Sequence, residues 1–405
     1  MIRNVRSLAL AGAAVLAFGI SSAGAQQAVK IGILSDMSGP YSDMGGMGSV
    51  AAAQLAVDDC LAHECKGMKI ELVSIDHQNK PDIGVQKARE WADVDKVNAI
   101  ADLTNSAVAL GVQKLTADHN FVAMYSGPAT GRLTNEDCSN TGFHWMFDTY
   151  SLAAGSAQAI TRMGARSWYF VTVDYAFGHS LEADSMAMVK QLGGEVKGAV
   201  RHPLNSADMS SFLLSAQSSG AQVIALANGA ADTINAIKTA REFGIVQSGK
   251  QQVVPLLIFL SDIRSLGLDT AQGLTFTEGF YWDQDDQARA FATRFQKAYK
   301  DRKPTMVQAG TYSSVLHYLR AVAAAKTTEA KVVAAKMREL PINDAVMRHA
   351  AIRPDGRVIH DMLLVKVKSP AESKGDWDFY TIQATIPAAE AFKPLSASAC
   401  PAVKG

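Results

Sequence analysis

From Val29 onward the chain alternates short apolar strands with helical runs, and it does so in two successive series of domain size. The first series opens with a strand at Val29 to Leu34, a helix from Val50 to Leu61 and a strand from Lys69 to Ile75. It continues with a helix near Val85 to Val94, a strand at Ala99 to Leu103, a helix from Ala107 to His119 and a strand at Phe121 to Ser126. Strand–helix–strand units in this order predict a doubly wound, mostly parallel sheet. The second series starts after Tyr150. It places helices at Leu152 to Met163, Leu181 to Leu192, Phe212 to Ser218 and Ala230 to Phe243. Between and after them come strands at Ser167 to Val173, Glu195 to Arg201, Val223 to Ala227, Val254 to Phe259 and Gly273 to Tyr281. Helices at Ala288 to Tyr299 and Tyr312 to Ala325 precede an antiparallel-looking pair, Val358 to Lys368 and Trp377 to Ala384. An α/β fold of two lobes follows. In open α/β sheets ligands sit beyond the carboxyl ends of the strands, so facing lobes would line one cleft.

The length of 405 residues and a 48% hydrophobic content suit two lobes with separate cores. Lys+Arg and Asp+Glu each number 39, with no basic run, so nucleic acid is not an expected partner. Ahead of the first strand, Arg3 and Arg6 precede an apolar stretch from Leu8 to Ile20 and the small residues Ser21 to Ala25. This reads as a secretory leader cleaved after Ala25. The apolar stretch is short of the about 20 residues that span a bilayer. Export places the four cysteines where disulfides persist. Cys60, Cys65, Cys138 and Cys400 allow three connectivities. Cys60–Cys65 with Cys138–Cys400 is favoured, closing a small loop and tying the C-terminal tail to the body. A metal site is not expected, because there is no C-x-x-C and the nine histidines are scattered.

Gly45-Gly46-Met47-Gly48 after the first strand lacks both the G-x-G-x-x-G and the P-loop pattern, so it reads as a loop that approaches a ligand closely. No G-x-S-x-G elbow, H-E-x-x-H or reactive-cysteine context occurs, so catalysis is not expected and no cofactor is implied. The strand ends are polar instead. Thr104-Asn105-Ser106 and Ser126-Gly127-Pro128-Ala129-Thr130 carry hydroxyls, and the first of them leads directly into a helix. That arrangement suits a carboxylate, or simply a helix cap. Asp174 to Gly178 brings aromatics to a strand end of the second series, and Asn228 to Asp232 and Leu260-Ser261-Asp262 occupy two later ends.

In this order the segments resemble the type I periplasmic binding proteins, above all the leucine/isoleucine/valine-binding family of ABC importers. The likeness rests on Ile31-Gly32-Ile33 with Ser38-Gly39-Pro40, Asp102 to Ser106, Ser126 to Thr130, Asp174 to Gly178 and Gly273-Leu274. The stretches Arg353 to Gly356, Asp361-Met362 and Trp377 to Tyr380 resemble a proteobacterial subgroup. The resemblance implies two Rossmann-like lobes joined by three hinge crossovers, near Phe147 to Tyr150, Glu278 to Asp283 and Ile352 to Gly356. It assigns residues 27–148 and 282–353 to one lobe, 149–281 and 354–390 to the other, and 391–405 to a tail. The ligand carboxylate would meet Asn105, Ser106, Ser126, Ala129 and Thr130, with Tyr175 or Phe177 as an aromatic wall. Tyr150 and Asn228 complete the expected set. Asn105 departs from the serine of the amino-acid binders, and Ala230 and Ala231 stand where those often carry a tyrosine. Asp262 is the nearest candidate for an ammonium partner.

The implied function is a periplasmic substrate-binding subunit of an ABC importer. It would act as a monomer on a branched-chain amino acid or a related small carboxylate, including an aromatic acid, and hand it to a membrane permease. A ligand sensor feeding a receptor and a secreted α/β enzyme are the alternatives.

Overall fold

The computed structural model of the chain describes Met1 and residues 28–404. Apart from Met1, the leader and its cleavage point lie outside the described residues. Five parallel strands form the first sheet: β1 (Ala28–Ser35), β2 (Lys69–Asp76), β3 (Ala99–Asp102), β4 (Val122–Tyr125) and β5 (Gly142–His144), in the order β2-β1-β3-β4-β5. The helices α1 (Gly46–Ala62), α2 (Pro81–Asp93) and α3 (Ser106–Leu115) cover it. With both faces covered, β3 and β4 are buried at every position. Gly32 shows how tightly α2 seats, for a Cβ there would lie 2.3 Å from the Trp91 ring.

The chain then leaves through α4 (Thr149–Leu152), a π-helical turn at Ala153–Ala157 and α5 (Gln158–Arg162). The second sheet holds β6 (Ser167–Val173), β7 (Glu195–His202), β8 (Val223–Ala227) and β9 (Gln252–Pro255), all parallel, in the order β7-β6-β8-β9. Its helices are α6 (Ala176–Gln191), α7 (Ser210–Ser218), α8 (Ala231–Glu242), α9 (Leu260–Leu266) and α10 (Leu268–Ala271). After β10 (Thr275–Glu278), helices α11 (Asp286–Ala298), α12 (Met306–Ala325) and α13 (Ala330–Glu339) return to the first sheet, where α11 and α12 pack on α1. A short pair, β11 (Ala351–Ile352) and β12 (Val358–Ile359), leads to β13 (Met362–Val367) and β14 (Tyr380–Ile386). These two join β10 in a separate antiparallel sheet, and α14 (Ala388–Ala391) and α15 (Pro401–Lys404) end the chain.

The two-lobed α/β architecture and the antiparallel pair near the C-terminus are present. Several boundaries differ from the sequence reading. Helix α12 starts at Met306, not Tyr312, and α13 and β5 were not foreseen. The strand expected over Gly273 to Tyr281 is only β10. Disulfides join Cys60 to Cys65 and Cys138 to Cys400. The largest apolar cluster runs from the first sheet through Trp145, Met146 and Phe147 into the second, so the lobes share buried surface at their junction.

Candidate functional site

The carboxyl ends of β1, β3 and β4 face those of β6 and β9 across a narrow cleft. On the first side, Asp36 organises the loop after β1. Its carboxylate accepts the amides of Gly39 (2.7 Å) and Tyr41 (2.9 Å) and the Asn79 side chain (2.5 Å). This clamp delivers Tyr41 into the cleft. Gly39 is required because a Cβ there would lie 2.7 Å from both Asp36 oxygens. We expect Gly39→Ala to dislodge the clamp and weaken solute binding about tenfold or more, with a smaller loss of stability, when titrated calorimetrically beside wild type.

Deeper in, Thr104 Oγ1 accepts the Asp36 amide at 3.0 Å and lies 3.2 Å from His77 Nε2. Burial lowers the His77 pKa to about 4, so the ring is neutral. Ser106 Oγ accepts the amides of Ala129 and Thr130, each at 3.3 Å, and thereby ties the two strand ends together. Asp102 lies beneath them with φ +78°, fully buried, its Oδ2 accepting from Ser35 Oγ at 2.7 Å. Burial raises its pKa to about 7.

Among the described residues, two hydrogen bonds cross the cleft. The Tyr41 and Tyr175 hydroxyls meet at 2.7 Å, and Thr130 Oγ1 meets Ser180 Oγ at 2.8 Å. Between the lobes they leave a cavity of about 10 Å³, room for about one water, so this is a closed form. Tyr41, Met44, Thr104, Ser106, Gly127 and Ala129 line one side; Tyr175, Phe177, Leu257 and Phe259 line the other. The wall is aromatic and hydroxylic, without a charged side chain.

Of the residues expected from sequence, Ser106, Ala129, Tyr175 and Phe177 meet at this cavity, and Thr130 sits at its edge. The others do not. Asn105 caps α3, its Oδ1 accepting the amides of Ala107 (2.9 Å) and Val108 (3.2 Å). Ser126 turns toward α12 and bonds Thr311 Oγ1 at 3.0 Å. Asn228 is buried between His202 (3.0 Å) and Thr233 (2.7 Å). Asp262 folds back on the start of α9, where Oδ2 accepts the Phe259 amide at 2.9 Å. Tyr150 faces a separate polar chamber. In each case but the last, a local backbone or core partner takes the polar group that a ligand would need.

The sequence reading placed Thr104 and Gly127 within its strand-end clusters but did not single out Tyr41, Met44, Leu257 or Phe259 as site residues. Tyr41 directly follows Ser38-Gly39-Pro40, so the turn signal was there without a reason to single out its aromatic.

The chain matches the periplasmic binding protein family over residues 28–376. A periplasmic binding protein from Burkholderia mallei is 44% identical, with a TM-score of 0.89 over 93% of this chain and 99% of that one. The periplasmic ligand-binding protein of a branched-chain amino acid ABC transporter from Burkholderia xenovorans is 40% identical, with a TM-score of 0.82 over 93% and 100%. Leu/Ile/Val-binding protein homolog 6 of Brucella melitensis is 25% identical over 301 residues, 73% of this chain and 75% of the relative. On fold and sequence alike, this chain belongs to the periplasmic binding protein family.

Proposed function

We propose that the protein is the solute-capturing subunit of an ABC importer. It binds a branched-chain amino acid or a related small carboxylate, including an aromatic acid, and passes it to a membrane permease without chemical change. The observation that carries this reading is the cavity itself, enclosed by both lobes, walled by Phe177, Phe259 and Leu257, and edged by hydroxyls. A solute that touches both walls only when the cleft is shut shifts an open–closed equilibrium toward the shut form. The Burkholderia xenovorans relative supports the transport context and the amino-acid class. In this reading residues 1–25 direct export to the periplasm, and the protein works there as a monomer. Its lobes comprise 27–148 with 282–353, and 149–281 with 354–390.

A thermal-shift screen of protein unfolded and refolded to shed carried-over solute tests it. The panel holds branched-chain and aromatic amino acids, benzoate- and cinnamate-type acids, urea and short amides. A solute at 100 times its Kd adds about 2.7 kcal/mol, a clear upward shift in melting temperature. A flat response to the whole panel would sink the carboxylate assignment.

A further inference from the structure

The carboxyl of Asp102, beneath the cavity, uses only one of its two oxygens. Oδ2 accepts from Ser35 Oγ, which in turn accepts the Gly46 amide at 3.0 Å, so this oxygen fixes the start of α1. An asparagine would do the same. No hydrogen bond reaches Oδ1 among the described residues, although the atom is buried.

The fold makes room for this carboxyl at a cost. A Cβ on Gly127 would lie 2.8 Å from Oδ1, and one on Gly45 would lie 2.9 Å from Oδ2. Asp102 and Leu103 both hold positive φ, +78° and +56°, a region that residues with a side chain rarely adopt. Backbone strain of this kind clusters at ligand sites. Gly127 is itself part of the cavity wall, which puts Oδ1 one residue behind that wall.

Few titratable groups face Asp102. The end of β1 supplies Asp36, whose carboxylate is taken by the Gly39 and Tyr41 amides and by Asn79. The loop after β2 supplies the neutral His77, and β4 supplies Tyr125, the register partner of Asp102, with a buried hydroxyl that has no partner among the described residues. Helices α1 and α12 meet nearby through two hydroxyls, Ser49 and Thr311, 3.4 Å apart. Burial raises the Asp102 pKa to about 7; the Ser35 and Ser49 hydroxyls pull against the rise, Asp36 adds to it, and none of these is a cation.

We propose that Asp102 selects the solute by charge: a carboxylate that brings no ammonium is held in the cavity only while Asp102 carries a proton, so its binding takes up one proton from solvent. A carboxylate in the cavity and an ionised Asp102 behind Gly127, cut off from water in the shut cleft, repel each other. The proposal rests on the importer reading and adds to it the charge of the solute.

Calorimetry in Hepes and in Tris, whose ionisation enthalpies differ, counts the protons. The probes are 3-methylbutanoate, 4-methylpentanoate, benzoate and cinnamate, their amides, and leucine and phenylalanine, on protein refolded to shed carried-over solute. A carboxylate that binds should take up more than half a proton at pH 7.5. Its Kd should rise about tenfold from pH 6 to pH 8, because only about one molecule in ten keeps the Asp102 proton at the higher pH. Asp102→Asn, whose amide oxygen still accepts from Ser35, should bind the same acid with no uptake and a flat pH profile, and its melting temperature reports its folding. Asp262 also titrates at about 7, across the cleft, so Asp262→Asn is the control that should leave the count unchanged. An uptake near zero in wild type, which needs no variant to fold, or an uptake that persists in Asp102→Asn would overturn the proposal. If only the amino acids or the amides bind, selection by Asp102 falls and the importer reading stands. If nothing binds, both fall.

Discussion

Asp262→Asn should make the protein more stable at pH 8 and leave its solute affinity unchanged. The carboxyl is buried, and desolvation raises its pKa to about 7 against an unfolded value near 3.8. An acid whose folded pKa is raised is a cost, not a gain. The cost is absent below the unfolded pKa, grows as pH climbs to the folded pKa, and is constant above it. At about 1.4 kcal/mol per pH unit the shift amounts to roughly 4 kcal/mol. The asparagine amide oxygen can still accept the Phe259 amide, so the α9 cap survives the exchange. Glu278 adds to the cost, since both its oxygens are buried without a partner among the described residues and burial raises its pKa well above the usual range, Asp262 contributing. Buried neutral histidines work the other way over the same window. His77 and His317, both lowered to about 4 by burial, lose stability as pH falls from their unfolded value near 6.5. The wild-type profile sums both trends, so the informative quantity is the variant-minus-wild-type difference in urea unfolding from pH 4 to 8. It should start near zero and rise to its plateau near pH 7. A flat difference curve would show that Asp262 titrates normally, and weakened binding would return it to the ligand.

The sheets were legible because buried parallel strands read as short apolar runs between helices, as at Val122–Tyr125 and Val223–Ala227. Helix α12 was half lost for the opposite reason. It is buried on almost every side, with Gln308, Ser313 and His317 satisfied internally, so it shows no polar face to set a period. At the site, strand-end hydroxyls could be located but not aimed. Asn105 and Ser106 are neighbours of similar chemistry, yet one caps its own helix and the other ties two loops beside the cavity. Only side-chain direction separates them. Tyr41 depends on a contact between Asp36 and Asn79 that no local pattern encodes.

Arg357→Met should cost roughly 3–5 kcal/mol, the penalty for removing one member of a buried charged network. Arg357 is fully buried, and burial lowers its pKa only to about 10, so it remains a cation at neutral pH. Its guanidinium donates to the carbonyls of Trp145 (2.9 Å), Phe147 (3.1 Å) and Val358 (3.0 Å), and lies 3.7 Å from Asp148. It also stacks 4.3 Å from the Phe392 ring. One side chain thus joins the stretch leaving β5, the turn at β12 and the C-terminal segment. His360 adds a second tie, with Nε2 2.6 Å from the Met146 carbonyl. Methionine fills much of the volume but donates nothing, leaving three buried carbonyls and the Asp148 carboxylate without this partner. Lysine should rescue little, because one ammonium cannot span carbonyls that a planar fork reaches together. We expect the methionine variant to melt several degrees below wild type, with lysine close behind it. The sites at Ser106 and Tyr175 are untouched, so any loss of affinity would come through the geometry of closure. A methionine variant that melts within about a degree of wild type would mean that these carbonyls find water, and that the junction does not depend on Arg357.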